Sequence, residues 1–582
     1  MSMTVVPCLS ARILTTASTC DRWYHHLFGL DRLGERFTGW ISGTVAWINT
    51  STLRRMVVIL VLTVGSVWFS FRLMPKTEYL PAGNQNLLFS IMLPPPGYSL
   101  DEIDKFHAVI RKELQNLWKD PAGSPQALAK PGGGVRDLFF VSMSSTNNAF
   151  MGISANEPLR VRELLPEFNR VNAMLPGTIA FTIQSSIFAR STSTFRAIDV
   201  EISGPELEQL IGLGGEVFGK VMQLMPGAQA RPIPSLDLGN PEIQVVTHRR
   251  RAAELGISNR DLGFTVSALV DGAKVSDYQH EGHEIDLKVR ADESFAHRTH
   301  LLEQMPIATP DGRLVTLGSV AQITAVDGPV QIDHRERQRT ITIQVQPSEK
   351  MPMQEAMETI EEKILNPMRS QGRLGGLYQV NLSGSADKLV QTGQALKWNL
   401  LLALAITYLL MAALFESFLY PFVIMFAVFP GALGGFLGLA LMNKFLTYQS
   451  LDVLTMLGFF ILMGTVVNNS TLIVHQALNH MREENMEAQA SIREATRNRI
   501  RPIFMTIGSN VFGMLPLVLF AGAGSELYRG LGAVVLGGLI VSTIFTLFLV
   551  PALFSLMLDV RAALGRRLRG MFGKTSEVAV GE

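Results

Sequence analysis

Four residues, Gly464, Asn468, Thr471 and His475, recur at i, i+4, i+7 and i+11 within the apolar run 453–475. On a helix that spacing draws them into one stripe. The run has no acidic or basic residue before His475 and exceeds the ~20 apolar residues needed to cross a bilayer. Amides and hydroxyls are costly against lipid, so the stripe is expected to face other helices or a watery cavity. A second stripe, Thr506, Ser509, Asn510 and Gly513, lies in the next apolar run at i, i+3, i+4 and i+7. At 1.5 Å per residue, Asn468 and Asn510 lie about 9 Å and about 12 Å from the same end of their runs. The two stripes can therefore meet at similar depth. Two uses fit them: hydrogen bonds that pack helices together, or a polar site tied to ion or substrate movement. Amides and hydroxyls orient water but cannot hold a proton reversibly near neutral pH. No Asp, Glu or Lys lies inside the apolar core of any run; Arg72 and Glu416 sit at ends, and His475 at a border. A proton carrier is therefore not among these residues.

Other chemistries find little support. There is no GxxxxGK, HExxH or GxSxG motif, so neither an enzyme nor a cofactor is expected. Cys8 and Cys20 make neither a disulfide framework nor a zinc site. His280 and His283 flank Glu281-Gly282 and could touch a metal, but a solvated strand turn explains them as well. A net charge of +1 argues against nucleic acid as a partner. The opening MSMTVVPCLSARILTTASTC lacks the basic start and apolar core of a signal peptide, so the first apolar run is expected to act as its own targeting signal.

The elements that must position the stripes follow from composition. Of 582 residues, 47% are hydrophobic and 17% charged, against ~25% charged in soluble proteins. The apolar residues gather in runs at 56–74, 398–415, 417–442, 453–475, 502–524 and 530–558. The expected fold is an α-helical polytopic membrane domain of six spans with one large α+β insert. Gly431, Gly434, Gly435 and Gly438 in the third run, and Gly537 and Gly538 in the sixth, allow close helix approach. In residues 1–54, Trp23, Leu27, Leu30, Leu33, Phe37, Trp40 and Ile41 recur at roughly helical spacing, as in an amphipathic helix lying in the interface.

The insert, 76–397, alternates strand and helix patterns. Strands are expected at 86–93, 136–143, 178–183, 197–203, 242–246, 284–290 and 339–346, the last two half-buried. Helices are expected at 99–118, 158–174, 205–225 and 353–368, with Ser99 and Glu102 as a capping box on the first. Repeated β-α-β units suggest ferredoxin-like subdomains. Arginine sets the orientation: Arg12, Arg22, Arg32, Arg36, Arg54 and Arg55 precede the first span. Arg482, Arg493, Arg497, Arg499 and Arg501 follow the fourth, and Arg561, Arg566, Arg567, Arg569 and Lys574 end the chain. With six spans all three segments fall on one side, the cytoplasm, and the insert on the other.

Several stretches together resemble a known family. VVPCLSARIL at 5–14, LPAGN at 80–84 with LPPPG at 93–97, AALFESFLYP at 412–421, GTVVNNSTLIV at 464–474 and RPIFMTIGSNVFGMLPL at 501–517 stand in the family's order. The chain resembles, over about residues 1–558, the C-terminal half of resistance-nodulation-division efflux permeases of the hydrophobe/amphiphile, or acriflavine resistance, type. The resemblance implies residues 1–54 as the end of a preceding span plus the interfacial helix, and 55–75 as a span. It implies a periplasmic porter and docking region at 76–397, five spans in 398–558 and a cytoplasmic tail at 559–582. Within the insert, 80–190 would be one porter subdomain, 196–239 with 329–386 a second, and 240–328 the docking subdomain.

It further implies a bacterial inner-membrane pump driven by proton antiport and working as a trimer. Its partners would be a periplasmic adaptor, an outer-membrane channel and small amphiphilic substrates. The family's proton-relay aspartates lie in an N-terminal half, which becomes an expected partner. Many members carry Lys where this chain has Asn468, whereas Asn469 and Thr506 match the pattern. Asn468, Asn469, Thr506 and Asn510 are thus expected to scaffold a relay rather than carry its proton. Phe139, Phe140, Phe150, Phe181 and Phe188 are candidates to line a drug pocket. Met92, Met143 and Met151 leave open a soft-metal exporter half, and a split-gene remnant that merely binds or scaffolds is the other alternative.

Overall fold

A computed structural model describes residues 30–572 except 82, 96–97, 144–147, 189–195, 237, 293–298, 330, 349–350, 521 and 523. The VVPCLSARIL stretch, Cys8, Cys20, Trp23, Leu27, the end of LPPPG and Lys574 lie outside the described residues. Helix α1 (Leu30–Asn49) buries Ile41, Val45 and Ile48 on one side and exposes Trp40 and Trp47 on the other. After a two-residue break, α2 (Thr52–Leu73) runs away from it. Buried Arg55 pairs with Asp559 near the other end of the chain.

The first extramembrane unit is built from β1 (Leu88–Leu93), α3 (Leu100–Glu113), β2 (Val135–Met143), β3 (Asn148–Ala155), α4 (Leu165–Asn172) and β4 (Ile179–Gln184). Its four strands lie antiparallel in the order β2-β3-β1-β4. Strand β3 is not among the strands expected from the sequence. Its alternation is broken by Gly152, which stands opposite Phe139; a Cβ there would overlap the Phe139 ring. Ser99 caps α3 through the Glu102 N–H, but Glu102 turns its carboxylate to Lys105, leaving half of the expected capping box.

The second unit has β5 (Ile198–Gly204), α5 (Leu207–Leu224) and β6 (Gln229–Ile233). The chain then departs through β7 (Asn240–Thr247), the hairpin β8 (Ala273–His280) and β9 (His283–Val289), the short pair β10 (Pro306–Ala308) and β11 (Leu314–Thr316), and β12 (Ala321–Gly328). It returns with β13 (Asp333–Arg335), β14 (Gln338–Gln346), α6 (Met353–Ile360) and β15 (Gln379–Gly384) to complete the sheet β13-β14-β5-β15, on which β6 also pairs β14. The expectation that 284–290 is half-buried fails. Strand β9 pairs only with β8 in a two-stranded ribbon, and every residue of β9 is exposed. The alternation is present, but no layer covers either face.

Six helices among the described residues are long and apolar enough to cross a membrane: Thr52–Leu73, Ser385–Phe415, Leu419–Phe445, Val453–Arg482, Ala488–Leu519 and Leu527–Ala563. We label the later ones α7 (Ser385–Phe415), α8 (Leu419–Met425) and α9 (Val428–Phe445), α10 (Val453–Arg482), α11 (Ala488–Leu519) and α12 (Ser525–Phe572). The run 417–442 is thus two helices broken at residues 426–427. Helix α11 begins well before Pro502. Buried Ser491, Ile492, Ala495, Thr496 and Ile500 hold its first turns on the bundle, so it continues through the proline. The core joins Leu462, Val466, Ile473, Ala477, Ile503, Val534, Leu539 and Val550.

Candidate functional site

Helix α10 starts on Asp452, whose carboxylate accepts the Thr455 N–H at 2.7 Å. One side of α10, through Leu462, Val466 and Ile473, is buried in the bundle core. The first stripe is turned away from that side. Gly464, Asn468 and His475 are exposed, and Thr471 is half-buried, returning its hydroxyl to the Val467 carbonyl at 2.8 Å. The stripe runs beside the end of α7, where Thr471 Oγ1 is 4.0 Å from Met411 Sδ and the His475 ring is 6.3 Å from Phe415. Part of the stripe thus meets another helix, and the rest is uncovered within this chain. The bundle core claims its opposite side.

Asn469 behaves differently. It is 6% exposed and belongs to the flank of α10 that turns toward α11. The two antiparallel helices are tied where Arg499 Nη2 donates to Gln476 Oε1 at 2.6 Å. Asn469 lies seven residues before Gln476, and Thr506 seven residues after Arg499. Two helical turns on each side, about 10 Å from the tie, put Asn469 and Thr506 at one level on facing flanks. Asn510 and Gly513 continue the Arg499 flank at i+11 and i+14. Thr506, Ser509, Asn510 and Gly513 are all exposed, and Thr506 donates its hydroxyl to the Pro502 carbonyl at 3.0 Å. The seam therefore carries buried Asn469 beside exposed Thr506 and Asn510, with exposed Asn468 next to Asn469 on α10. It offers amides and a hydroxyl that can hold water or the polar group of another chain.

The N-terminal end of α10 carries a site that no sequence motif marks. Residues 76–79 act as a splint. Glu78 N donates to Leu451 O at 3.1 Å and Val453 N to Tyr79 O at 3.2 Å. On the other side, Thr77 bonds the Gln354 amide at 2.9 Å, and Lys76 pairs with Glu358 at 2.6 Å. Buried Glu78 accepts from Arg196 Nη2 at 2.7 Å and from the Met353 N–H at 3.1 Å. Asp452 beside it is 1% exposed. Burial pushes its carboxyl up to about 6, and the Glu78 charge adds to this, against the lowering effect of the Thr455 hydrogen bonds. Helix α10 is thereby hydrogen-bonded, through residues 76–79, to α6 of the second extramembrane unit. The helix-capping pattern Asp452-x-x-Thr455 was visible in the sequence; Glu78 had no signal, because its partners are distant in the chain.

The phenylalanines divide by strand register. Ile91 pairs with Phe150 and Phe181, and Phe139 with Gly152, so Phe139, Phe150 and Phe181 share the face of the sheet opposite α3 and α4. Phe89, overlooked in the sequence, joins them with its ring stacked on Phe150 at 5.7 Å. Phe140 points the other way, into the core beneath the helices, and Phe188 lies in the turn after β4. Met92 and Met151 are sealed in that same core, while Met143 is exposed at a strand end, so the three thioethers do not form a soft-metal site. Among the described residues no three His, Cys, Asp or Glu converge as metal ligands.

Among the described residues the architecture is six membrane-length helices with large β-sheet units inserted after the first. The chain matches the AcrB/AcrD/AcrF family over residues 1–558 and belongs to it. This is a family of resistance-nodulation-division permeases. The chain is similar to multidrug resistance protein MdtC of Yersinia enterocolitica, with 23% identity over 591 residues covering 99% of this chain and 53% of that protein. MdtC of Yersinia pseudotuberculosis matches at 23% over 587 residues with the same coverage, and MdtC of Erwinia amylovora at 27% over 318 residues, covering 54% and 30%. The chain spans about half the length of the curated relatives it matches over its full extent.

Proposed function

We propose that this chain supplies the C-terminal half of a proton-driven multidrug or amphiphile efflux permease of the bacterial inner membrane. The observation that carries the reading is the polar side of the α10–α11 seam: Asn469 and Thr506 at one level, exposed Asn510 one turn further along α11, and Asn468 and His475 exposed beside them. Uncovered amides at membrane depth require a partner, and a proton path requires a titratable group that these residues lack. A first half carrying carboxylates opposite the seam would satisfy both needs. Asn468, Asn469, Thr506 and Asn510 then scaffold the relay and hold its water.

The finer architecture follows the same reading. Six membrane crossings, both termini in the cytoplasm and the insert in the periplasm are supported by the arginine distribution. Ferredoxin-like porter subdomains at 80–190 and at 196–239 with 329–386 are supported by the β-α-β-β-α-β order of the first sheet and the split second sheet. The segment 240–328 is the docking subdomain toward the outer membrane. Its β8–β9 ribbon, exposed on both faces with Val275, Tyr278, Ile285 and Leu287, is suited to a neighbouring subunit, in keeping with a trimer that also engages a periplasmic adaptor and an outer-membrane channel. Phe89, Phe139, Phe150 and Phe181 form the apolar face offered to substrate.

The test is expression in a pump-deficient bacterial strain. The chain alone should leave drug susceptibility unchanged. Co-expression with a matching first half should raise resistance, and a protonophore should remove it. Protonophore-sensitive resistance from this chain without any partner would overturn the reading. Cysteine placed at Gln279 should be labelled in intact spheroplasts, and at Asn485 after lysis; the reverse would overturn the orientation.

A further inference from the structure

At the end of the bundle that holds the α10–α11 loop, α1 and α11 enclose an open cleft of about 1070 Å³. The α11 wall carries Arg493, Arg497 and Arg501, spaced i, i+4 and i+8 on one face. The α1 wall contributes Ser42, almost fully buried, and Glu35; Glu494 adds a second carboxylate. The three guanidinium groups are exposed, and among the described residues none is in an ion pair. Exposed Arg369 and Arg373, by contrast, pair with Glu361 and Glu216. Orientation of the protein in a membrane needs arginines in the loop, not arginines aligned on one wall of a cleft.

Helix α1 marks the level of this cleft. Trp40 and Trp47 lie on its outer side, 62% and 57% exposed, and Arg54 stacks over Trp47 at 4.6 Å. Phe37 packs on Phe504 of α11 at 5.3 Å and Trp40 on Phe548 of α12 at 6.2 Å, so these rings are fixed to the bundle. Exposed tryptophans on a membrane-associated helix settle at the headgroup layer. The arginine wall is thereby held at the depth where lipid phosphates lie. A guanidinium fork matches a phosphate oxygen pair, and three in a row can grip more than one phosphate oxygen at once.

We propose that this cleft is a binding site for the phosphate of an acidic phospholipid headgroup, held by Arg493, Arg497 and Arg501 with the Ser42 hydroxyl at its inner wall. Glu35 and Glu494 disfavour a second anion and leave a net positive site for one. Free phosphate shares this chemistry; the headgroup level of the cleft favours the lipid.

The test is native mass spectrometry of the full chain in detergent, with phosphatidylglycerol, phosphatidylcholine or inorganic phosphate added. Phosphatidylglycerol should be retained over phosphatidylcholine. The variant Arg493→Gln/Arg497→Gln/Arg501→Gln should lose that retention by about tenfold or more, taking the usual contribution of each basic residue at an anionic surface. A control variant, Arg249→Gln/Arg250→Gln/Arg251→Gln in the extramembrane insert, should retain it. If the triple variant does not elute as a single sharp peak, Arg497→Glu alone should reduce retention by about fivefold on the same basis. Equal retention by wild type and the Arg493/Arg497/Arg501 variants would overturn the site. Full displacement of phosphatidylglycerol by millimolar inorganic phosphate would overturn its assignment to lipid.

Discussion

Two seams of the membrane bundle show opposite solutions to helix contact. Along the α9–α12 seam, Gly434 and Gly438 lie against Ala533, Gly537 and Gly538, so closely that a Cβ on Gly434 would stand 2.6 Å from the Gly537 carbonyl. Nothing polar is needed there, because bare backbones in contact gain dispersion and exclude lipid. Along the α10–α11 seam the helices are tied at one end by Arg499 and Gln476 and then carry buried Asn469 beside exposed Thr506 and Asn510. The first seam is complete within this chain. The second leaves Thr506 and Asn510 exposed, and amides and hydroxyls facing lipid at membrane depth are costly.

The comparison breaks most easily at the glycines. Gly434→Leu should cost roughly 3 kcal/mol or more through overpacking against a backbone that cannot yield. The readout is loss of the single size-exclusion peak and of thermal stability in detergent. If Gly434→Leu behaved like wild type, the close seam would be wrong.

At the N-terminal end of α10 the expected effect is comparable but depends on pH. Asp452 titrates near 6 in the fold against an ordinary 3.8, so the folded chain keeps a proton that the unfolded chain has released. Stability should therefore fall as pH rises from about 3.8 to about 6, by up to about 3 kcal/mol from this group. Asp452→Asn keeps a capping acceptor and should flatten that dependence, leaving the variant more stable than wild type above pH 6. Thermal melts across the window decide it; an unchanged slope would remove Asp452 as its source.

A smaller effect is expected on the extramembrane sheet. Phe150→Ala removes the ring stacked on Phe89 from a half-buried face and should cost about 1 kcal/mol, the value of an aromatic pair. In a two-half pump it should also weaken apparent substrate affinity. Phe140→Ala, on the helix-covered side, should cost more stability and change affinity less. Equal behaviour of the two variants would dissolve the distinction between the faces.

The smallest change in stability belongs to the open seam. Asn468→Leu should alter the melting of this chain by under about 0.5 kcal/mol, as for an exposed position. Export by the reconstituted two-half pump should nonetheless drop severalfold. Unchanged export would return Asn468 to a packing role.

Much of this was legible in the residue pattern. Among the described residues, runs of apolar residues located the six membrane-length helices, and period-two stretches located seven of the fifteen strands, because both depend on neighbours within a few turns. The breaks came where distant segments intervene. Strand β3 is hidden because its glycine is explained by a phenylalanine on another strand. The early start of α11 depends on burial against the bundle. The period-two pattern of β9 predicted a covered face that no other element supplies.

The sequence by itself determined which residues share a face: the Asn468 stripe, the Thr506 stripe, and the alternate phenylalanines of each strand follow from helix and strand periods alone. It did not determine which faces acquire neighbours. The tertiary structure sent Asn469 inward and left Asn468 outside, placed Phe150 on an open sheet face and Phe140 beneath helices, and brought Glu78, Arg196, Met353 and Asp452 into one junction. The reason is that periodicity is a property of a few consecutive residues, whereas burial depends on packing between segments separated by hundreds of residues, and local spacing carries no record of them.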